Sequence, residues 1–198
     1  VQYVITEYGM AYLYGRSIWD RALSLTEIAH PDFRAALLEE AKHLGYVRND
    51  QVLRSRTAYP AEEEREVVLK NGKQVLIRPS KASDVQGLQD IFYHLPPQDI
   101  YTRFMTGLKS LPVSEAEHLC NVDYENEMAF VAVIGERSEE KIVGSSCYFL
   151  DHTTNLAETA FMVLPEWQGT GLGTQFQNVM MDYAKRKGIR GFFADILP

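Results

Sequence analysis

Long apolar runs are missing from this sequence. None approaches the roughly 18 residues that a membrane-spanning helix needs, and no stretch has the layout of a signal peptide. Cysteine is scarce: Cys120 and Cys147 are too few for a disulfide framework, so a reducing, cytoplasmic setting is expected, with both thiols packed as small apolar groups. Positive charge is short as well. With 20 Lys+Arg against 27 Asp+Glu the formal net charge is -7, which argues against general nucleic-acid binding. It does not argue against an anionic ligand held locally by backbone donors. No internal repeat and no low-complexity segment is present. What remains, 45% hydrophobic and 24% charged residues, is an ordinary globular composition, enough for one large domain or two small ones. The chain opens at Val1 without Met and stops at Pro198 directly after a strand-like run, so it reads as a piece of something longer.

Two units are expected, 1–56 and 67–198, with a linker over 57–66 marked by Pro60 and the cluster Glu62-Glu63-Glu64. In the first, Tyr3 to Thr6 reads as a short strand and Glu7-Tyr8-Gly9 as a turn. Ser17 with Asp20 forms a capping-box start for a helix to about Ala29. Pro31 suits a first helical turn, and a second helix to Leu44 carries the stripe Phe33, Leu37, Leu38, Ala41 and Leu44, with Gly45 as its C-cap. In the second unit, Val67-Val68-Leu69 and Val75-Leu76-Ile77 flank the hairpin signal Asn71-Gly72. Ser83 and Gln86 make a capping box for a helix ended by Pro96-Pro97, and shorter helices fit about 98–108 and, from Ser114 and Glu117, to about Asn121. Three strands follow, over 129–134, 142–150 and 157–164. Their short polar connections predict an antiparallel meander. An amphipathic helix then runs to about Lys187, and Gly191 to Leu197 is one more strand.

Between the third of those strands and that helix lies Gln168-Gly169-Thr170-Gly171-Leu172-Gly173. A glycine-rich turn at a helix N-terminus aims several backbone N–H groups in one direction, with the positive end of the helix dipole behind them, and so suits a phosphate or pyrophosphate. A dinucleotide fingerprint would need a third glycine where Thr174 stands, although Asp195 lies at about the distance expected of a ribose-binding acid. A nucleotide P-loop would need a lysine that is not there.

The stretch from Phe161 through Pro165, Trp167 and Gln168 to Thr174 resembles the Q/R-x-x-G-x-G/A strand–loop–helix signature of the GNAT family of N-acetyltransferases, and 67–197 is similar to that family's order of elements. The resemblance implies an α+β fold: a mixed, mostly antiparallel sheet with flanking helices, here preceded by the small strand-plus-two-helix segment. It implies acetyl-CoA as co-substrate. Backbone groups of Phe161, Met162 and Val163 would pair with the pantetheine amides, and amides of Gly169, Thr170, Gly171, Leu172, Gly173 and Thr174 would hold the pyrophosphate, with Gln168 in the first motif position. Leu172 and Phe161 are expected in the core as well.

Acetyl transfer needs a neutral amine, and a lysine of pKa ~10.4 is neutral in about one molecule in a few thousand at pH 7. A carboxylate with a raised pKa is the usual remedy. Glu158 resembles the strand glutamate that acts as base in this family, and its neighbours Leu156-Ala157 and Thr159-Ala160 are expected to desolvate it. The family's thiolate-protonating tyrosine would lie on a helix after Pro198; Tyr148 and Tyr183 do not match its position, so no general acid is assigned. His118 with Cys120, and His152 with Asp151, lack a third ligand at suitable spacing, and no metal is expected. The acceptor is an amine, a protein lysine or a small molecule.

Residues 1–45 resemble the C-terminal end of the acetyl-CoA hydrolase/transferase family, through Ile5-Thr6-Glu7-Tyr8-Gly9, Ala11-Tyr12-Leu13, Ser17, Arg21-Ala22-Leu23 and Ile28-Ala29-His30-Pro31-Asp32-Phe33-Arg34. That family's covalent glutamate lies upstream of the matching segment, and Glu7 reads as part of a turn. The rest of a CoA-transferase domain is therefore an expected partner. An unpaired strand edge near 191–197 could recruit a second copy.

Overall fold

The computed structural model describes residues 1–51, 53, 59–136 and 140–194. Its first unit opens with a hairpin, β1 (Tyr3–Thr6) and β2 (Gly9–Tyr12), which pair antiparallel with Thr6 opposite Gly9. The turn is legible in the sequence, but β2 is not, because Gly-Met-Ala-Tyr carries no alternation. Helices α1 (Ile18–Glu27) and α2 (Pro31–His43) follow. The expected box caps α1: Asp20 N–H donates to Ser17 Oγ at 3.0 Å, and the Asp20 carboxylate accepts from Ser17 in return.

The apolar stripe expected on α2 needs correction. Leu38 and Ala41 are buried, but Phe33, Leu37 and Leu44 are exposed, and Arg34 is buried in their place. Arg34 Nε donates to the Ala29 carbonyl at 2.9 Å, and its guanidinium lies over the Tyr8 ring. The helix is rotated so that a cation capping α1 faces inward.

The second unit is a six-stranded sheet in the order β3 (Arg65–Val68), β4 (Gln74–Pro79), β5 (Glu127–Ile134), β6 (Lys141–Asp151), β7 (Leu156–Val163), β8 (Gly191–Phe193). All neighbours are antiparallel except β7 and β8, which helix α6 (Leu172–Arg186) connects by a crossover. The meander and the mixed sheet are therefore as the pattern implied. Within the expected linker, residues 61–66 form a 3-10 turn over Ala61–Glu63 and the start of β3, with the Glu63 carboxylate buried against Arg65 and Arg186. Positions 57 and 58 of the expected linker, and 195–197 of the expected last strand, lie outside the described residues.

Helices α3 (Val85–His94), α4 (Pro97–Phe104) and α5 (Val113–Cys120) occupy the stretch between β4 and β5. The boxes expected from Ser83 and Ser114 do not form; α3 and α5 start without a side-chain cap. At α3 the local donor is taken by Asp84 instead, which accepts Lys81 N–H at 2.8 Å.

Strand β5 is the centre of the core, buried at Met128 through Val133. Phe130 meets Tyr183 of α6 edge-on. A register shift opposite Ala132/Val133 lets Ile142 turn toward Gly87 of α3 while Gly144 turns toward α6. A Cβ at Gly144 would stand 3.0 Å from Phe176 and 3.1 Å from Leu172. Glycine there lets the first turn of α6 sit directly on the sheet, which places the loop before it.

Candidate active site

The loop after β7 is shaped by two left-handed glycines, Gly169 (φ 70°) and Gly171 (φ 90°), the latter being the N-cap of α6. A short 3-10 turn over Pro165–Trp167 leads into it, and Thr170 Oγ1 donates back to the Trp167 carbonyl at 2.6 Å. Gln175 N–H is the first to find a helical acceptor, the Gly171 carbonyl at 3.1 Å. The amides of Gly169 to Thr174 precede it and meet no acceptor among the described residues. Six amides without an acceptor among the described residues thus lie at or just before the positive end of a 15-residue helix.

The loop is braced from two sides. Gln168 Nε2 donates to Asp99 of α4 at 2.7 Å and to the Val163 carbonyl at 3.1 Å, so its side chain ties α4 to the end of β7. On the other side Lys70, in the β3–β4 turn, donates its N–H to the Thr170 carbonyl at 3.0 Å, and Lys73 lies over the Trp167 ring. Leu172 and Met162 are buried; Phe161 and Val163 are half-buried.

Beside the loop, the outer edge of β7 beyond Glu158 has no strand partner among the described residues. Strand β8, as described, pairs only with Leu156, Ala157 and Glu158. Leu164 N–H donates to Val143 of β6, so by strand alternation Met162 also turns its backbone to β6, while Phe161 and Val163 turn theirs to the open side. Of the three residues expected to offer backbone groups, the register aims two outward. The pairing direction is fixed by β6, which sequence alone does not reveal.

Glu158 stands where β7 still pairs with β8, opposite Phe149 of β6, and on the other flank of Phe149 the register places Glu127 of β5. These three form a row across the sheet on one face. His118 of α5 stacks on Phe149 at 5.0 Å, and Arg103 of α4 donates to Cys147 Sγ at 3.6 Å in the next row. Burial pushes the Cys147 thiol up, Arg103 opposes it, and Glu158 and Glu127 add to the rise. Glu158 itself is exposed, so the enclosure expected from its apolar neighbours is not formed; Ala157 and Thr159 alternate to the opposite face, and Leu156 and Ala160 share its face without covering it. Glu127 escapes sequence reasoning because its partners are two strands and more than 20 residues away; only the register joins it to Glu158.

Tyr148 and Tyr183 lie on the α6 side of the sheet. Burial pushes the Tyr148 phenol far up and Tyr183 up to about 12, and Tyr183 donates to the Tyr124 carbonyl at 2.6 Å. Neither faces the row of Glu158. Cys120 is buried in the core, and Asp151 holds Thr153 and Thr154 of its own turn. Glu7 lies in the β1–β2 turn. Asp195 lies outside the described residues.

Comparison with known proteins agrees with this geometry. Residues 97–198 match the acetyltransferase (GNAT) family, and residues 1–41 match the acetyl-CoA hydrolase/transferase C-terminal domain. An acetyltransferase of Pseudomonas aeruginosa is 30% identical over 126 residues, 64% of this chain and 68% of that protein. The solved GNAT domain of S. lividans PAT superimposes with a TM-score of 0.65 at 25% identity, over 71% of this chain and 82% of that one. At the N-terminus, a butyryl-CoA:acetate CoA-transferase of Anaerostipes caccae is 55% identical over 40 residues, 20% of this chain but only 9% of the transferase. The chain belongs to the GNAT acetyltransferase family, and carries ahead of that domain a segment similar to the C-terminal end of acetyl-CoA hydrolases and CoA-transferases.

Proposed function

We propose that this chain transfers an acetyl group from acetyl-CoA directly to an amine, with a lysine side chain as the favoured acceptor. The observation that carries the reading is the nearness of two backbone arrays: the amides of Gly169 to Thr174, which meet no acceptor among the described residues, and the outer edge of β7 at Phe161 and Val163, which no described strand pairs and where only the Val163 carbonyl is taken, by Gln168. The first suits a pyrophosphate. The second suits the amides of an extended pantetheine arm lying beside β7 as an extra strand would. Thr170 and Leu172 face their side chains inward and contribute backbone only; Gly173 and Thr174 are exposed at the helix start.

The thioester would then lie toward the Glu158 end of β7. Glu158 is the candidate base, taking a proton from the incoming amine directly or through water. Backbone donors of the open edge help polarise the thioester carbonyl. Carboxylates at Glu158 and Glu127 on either side of Phe149 favour a cationic acceptor with an apolar stem, which fits a lysine. In the intact protein, Glu158→Gln is expected to lower amine-dependent thiol release by about a hundredfold or more. Acetyl-CoA binding, followed by calorimetry, should persist. Undiminished turnover would remove Glu158 from the mechanism.

A second reading is a non-catalytic acyl-CoA sensor that regulates an attached CoA-transferase or acetyl-CoA hydrolase. It is favoured by the N-terminal segment, which docks on the sheet domain through Glu27, Trp19 and the Arg48–Glu117 pair at 3.3 Å. Acetyl-CoA binding without turnover, across lysine-containing proteins and small amines with Glu158 present, would favour the sensor.

A further inference from the structure

The turn between β3 and β4 is tied to the glycine loop, and it brings a cation there. Lys70 N–H donates to the Thr170 carbonyl at 3.0 Å, which pins the turn to the loop. From that anchor the Lys70 side chain runs along Gly171. A Cβ at 171 would stand 3.3 Å from Lys70 Cε, 3.4 Å from Cγ and 3.5 Å from Cδ. Glycine at 171 therefore does two things. It adopts φ 90°, and it leaves room for the lysine stem to lie flat against the N-cap of α6.

That is the wrong end of a helix for a cation. The N-terminus of α6 is the positive end of its dipole, and the acceptorless amides of Gly169 to Thr174 lie at the same place. Lys185 and Arg186 occupy the favourable, C-terminal end. Nothing described offsets the placement of Lys70, which forms no ion pair with any described residue. The Asp99 carboxylate, brought to the loop by α4, accepts from Gln168 instead. Lys73 of the same turn differs, because its ammonium rests 4.7 Å over the Trp167 ring.

Between the turn and the loop is a recess of about 170 Å³, bounded by Val68, Lys70, Thr170, Gly171, Thr174 and Gln175. Pockets that enclose a whole small molecule run to roughly 300–1,000 Å³, so this one suits a single group of a larger ligand. A lysine and residues with acceptorless amides line it together, and that combination calls for an anion.

We propose that Lys70 is a phosphate-binding residue of the donor site, holding a phosphate oxygen of coenzyme A between its ammonium and the amides of the glycine loop. The inference rests on the acetyl-CoA reading given above. It adds a residue from outside the loop motif: the segment that matches the GNAT family begins at residue 97, and the β3–β4 turn precedes it. The amides supply hydrogen bonds in fixed directions, and Lys70 supplies the compact point charge that neutralises the phosphate. The chain then selects its donor by the phosphates as well as by the thioester.

The test measures binding of coenzyme A, 3′-dephospho-coenzyme A and inorganic pyrophosphate to the whole chain by calorimetry. Lys70→Met keeps the stem on Gly171 and the backbone bond to Thr170, and removes the charge. It is expected to weaken coenzyme A by about tenfold, the scale of one charge-assisted hydrogen bond. Lys70→Arg should restore most of that loss, and Lys73→Met should cost less than Lys70→Met. Raising the salt concentration should narrow the gap between the parent chain and Lys70→Met. Loss with 3′-dephospho-coenzyme A as well assigns the contact to the pyrophosphate, and loss with coenzyme A alone assigns it to the 3′-phosphate; both support the proposal. Unchanged coenzyme A affinity in Lys70→Met overturns it and leaves the cofactor reading standing. So does a loss that salt does not narrow, or an equal loss in Lys73→Met. If the parent chain binds pyrophosphate through Lys70 but not coenzyme A, the anion site stands and the coenzyme A reading fails. Binding of none of the three overturns both.

Discussion

The sheet domain and the N-terminal unit are built from similar residues but hold their structure differently. In the sheet domain, β5 is covered on both faces and one continuous cluster runs from Leu69 to Tyr183. The N-terminal unit buries Leu23, Leu38, Ala41 and Val47 in one small cluster and Ala11, Leu13 and Ile28 in another. It leaves Ile5, Tyr14, Ile18, Phe33, Leu37 and Leu44 exposed. Ala82 of the sheet domain completes its larger cluster, and Trp19 packs on both domains. A core that small cannot offset the entropy of its own ordering, so the unit depends on what it docks against. The chain spans only 9% of the CoA-transferase that it resembles at this end.

Truncating the large core should produce the widest contrast. Phe176→Ala, at a fully buried position of α6, is expected to cost about 3–5 kcal/mol in denaturant unfolding followed by far-UV circular dichroism. Leu23→Ala removes a side chain that is equally buried, yet its effect should appear as faster hydrogen exchange confined to α1 and α2. Equal loss of protection in β5 would mean that the two units unfold as one.

Asp84→Ala tests the junction from the sheet side. It leaves Arg78 buried with Glu140 alone, and should cost about 3–5 kcal/mol of stability, because a buried cation loses its bidentate partner. At the glycine loop, Gly171→Glu puts a side chain on a residue at φ 90°, against Lys70, and adds negative charge where phosphate would bind. Acetyl-CoA affinity measured by calorimetry should fall by about a hundredfold or more, since a strained backbone and lost amide geometry each cost of order 1–3 kcal/mol. Unchanged affinity, or no binding by the parent chain, would sink the cofactor assignment.

A smaller effect separates the units by pH. Glu27 is held up to about 7 in the folded chain against 4.5 for a free glutamate, so the folded state prefers its protonated form. That contribution is complete below about pH 4.5 and is lost as pH rises toward 7. Protection of α1 should therefore weaken over that window, and Glu27→Gln should flatten the profile. The least change is expected from Ser17→Ala, which removes the α1 cap and should cost about 1 kcal/mol, visible as fraying at the start of α1.

Much of the architecture is legible in short stretches of sequence. The apolar runs Val67-Val68-Leu69 and Val75-Leu76-Ile77 around Asn71-Gly72 specify a hairpin, and the glycines between a strand and an amphipathic helix specify a left-handed loop ahead of α6, because both depend on backbone geometry encoded within a few residues. The rotation of α2 cannot be read in this way. Phe33 and Leu37 obey the helical period as well as Leu38 does, and only the docking of Arg34 onto Ala29 and Tyr8 decides which face turns inward.

By itself the sequence determined the order of the elements other than β2, the glycine-rich turn ahead of α6 and the family, since each rests on local spacing or on motif residues in a row. The tertiary structure decided the rest. Pairing with β6 selects which backbone groups of β7 face the open edge. The register of three strands sets Glu127 beside Glu158's row. The meeting of α1 with the 3-10 turn ahead of α3 brings Glu27 to the N–H of Ala82, 55 positions away in the chain. Contacts between distant residues depend on burial and register, and no local propensity encodes them.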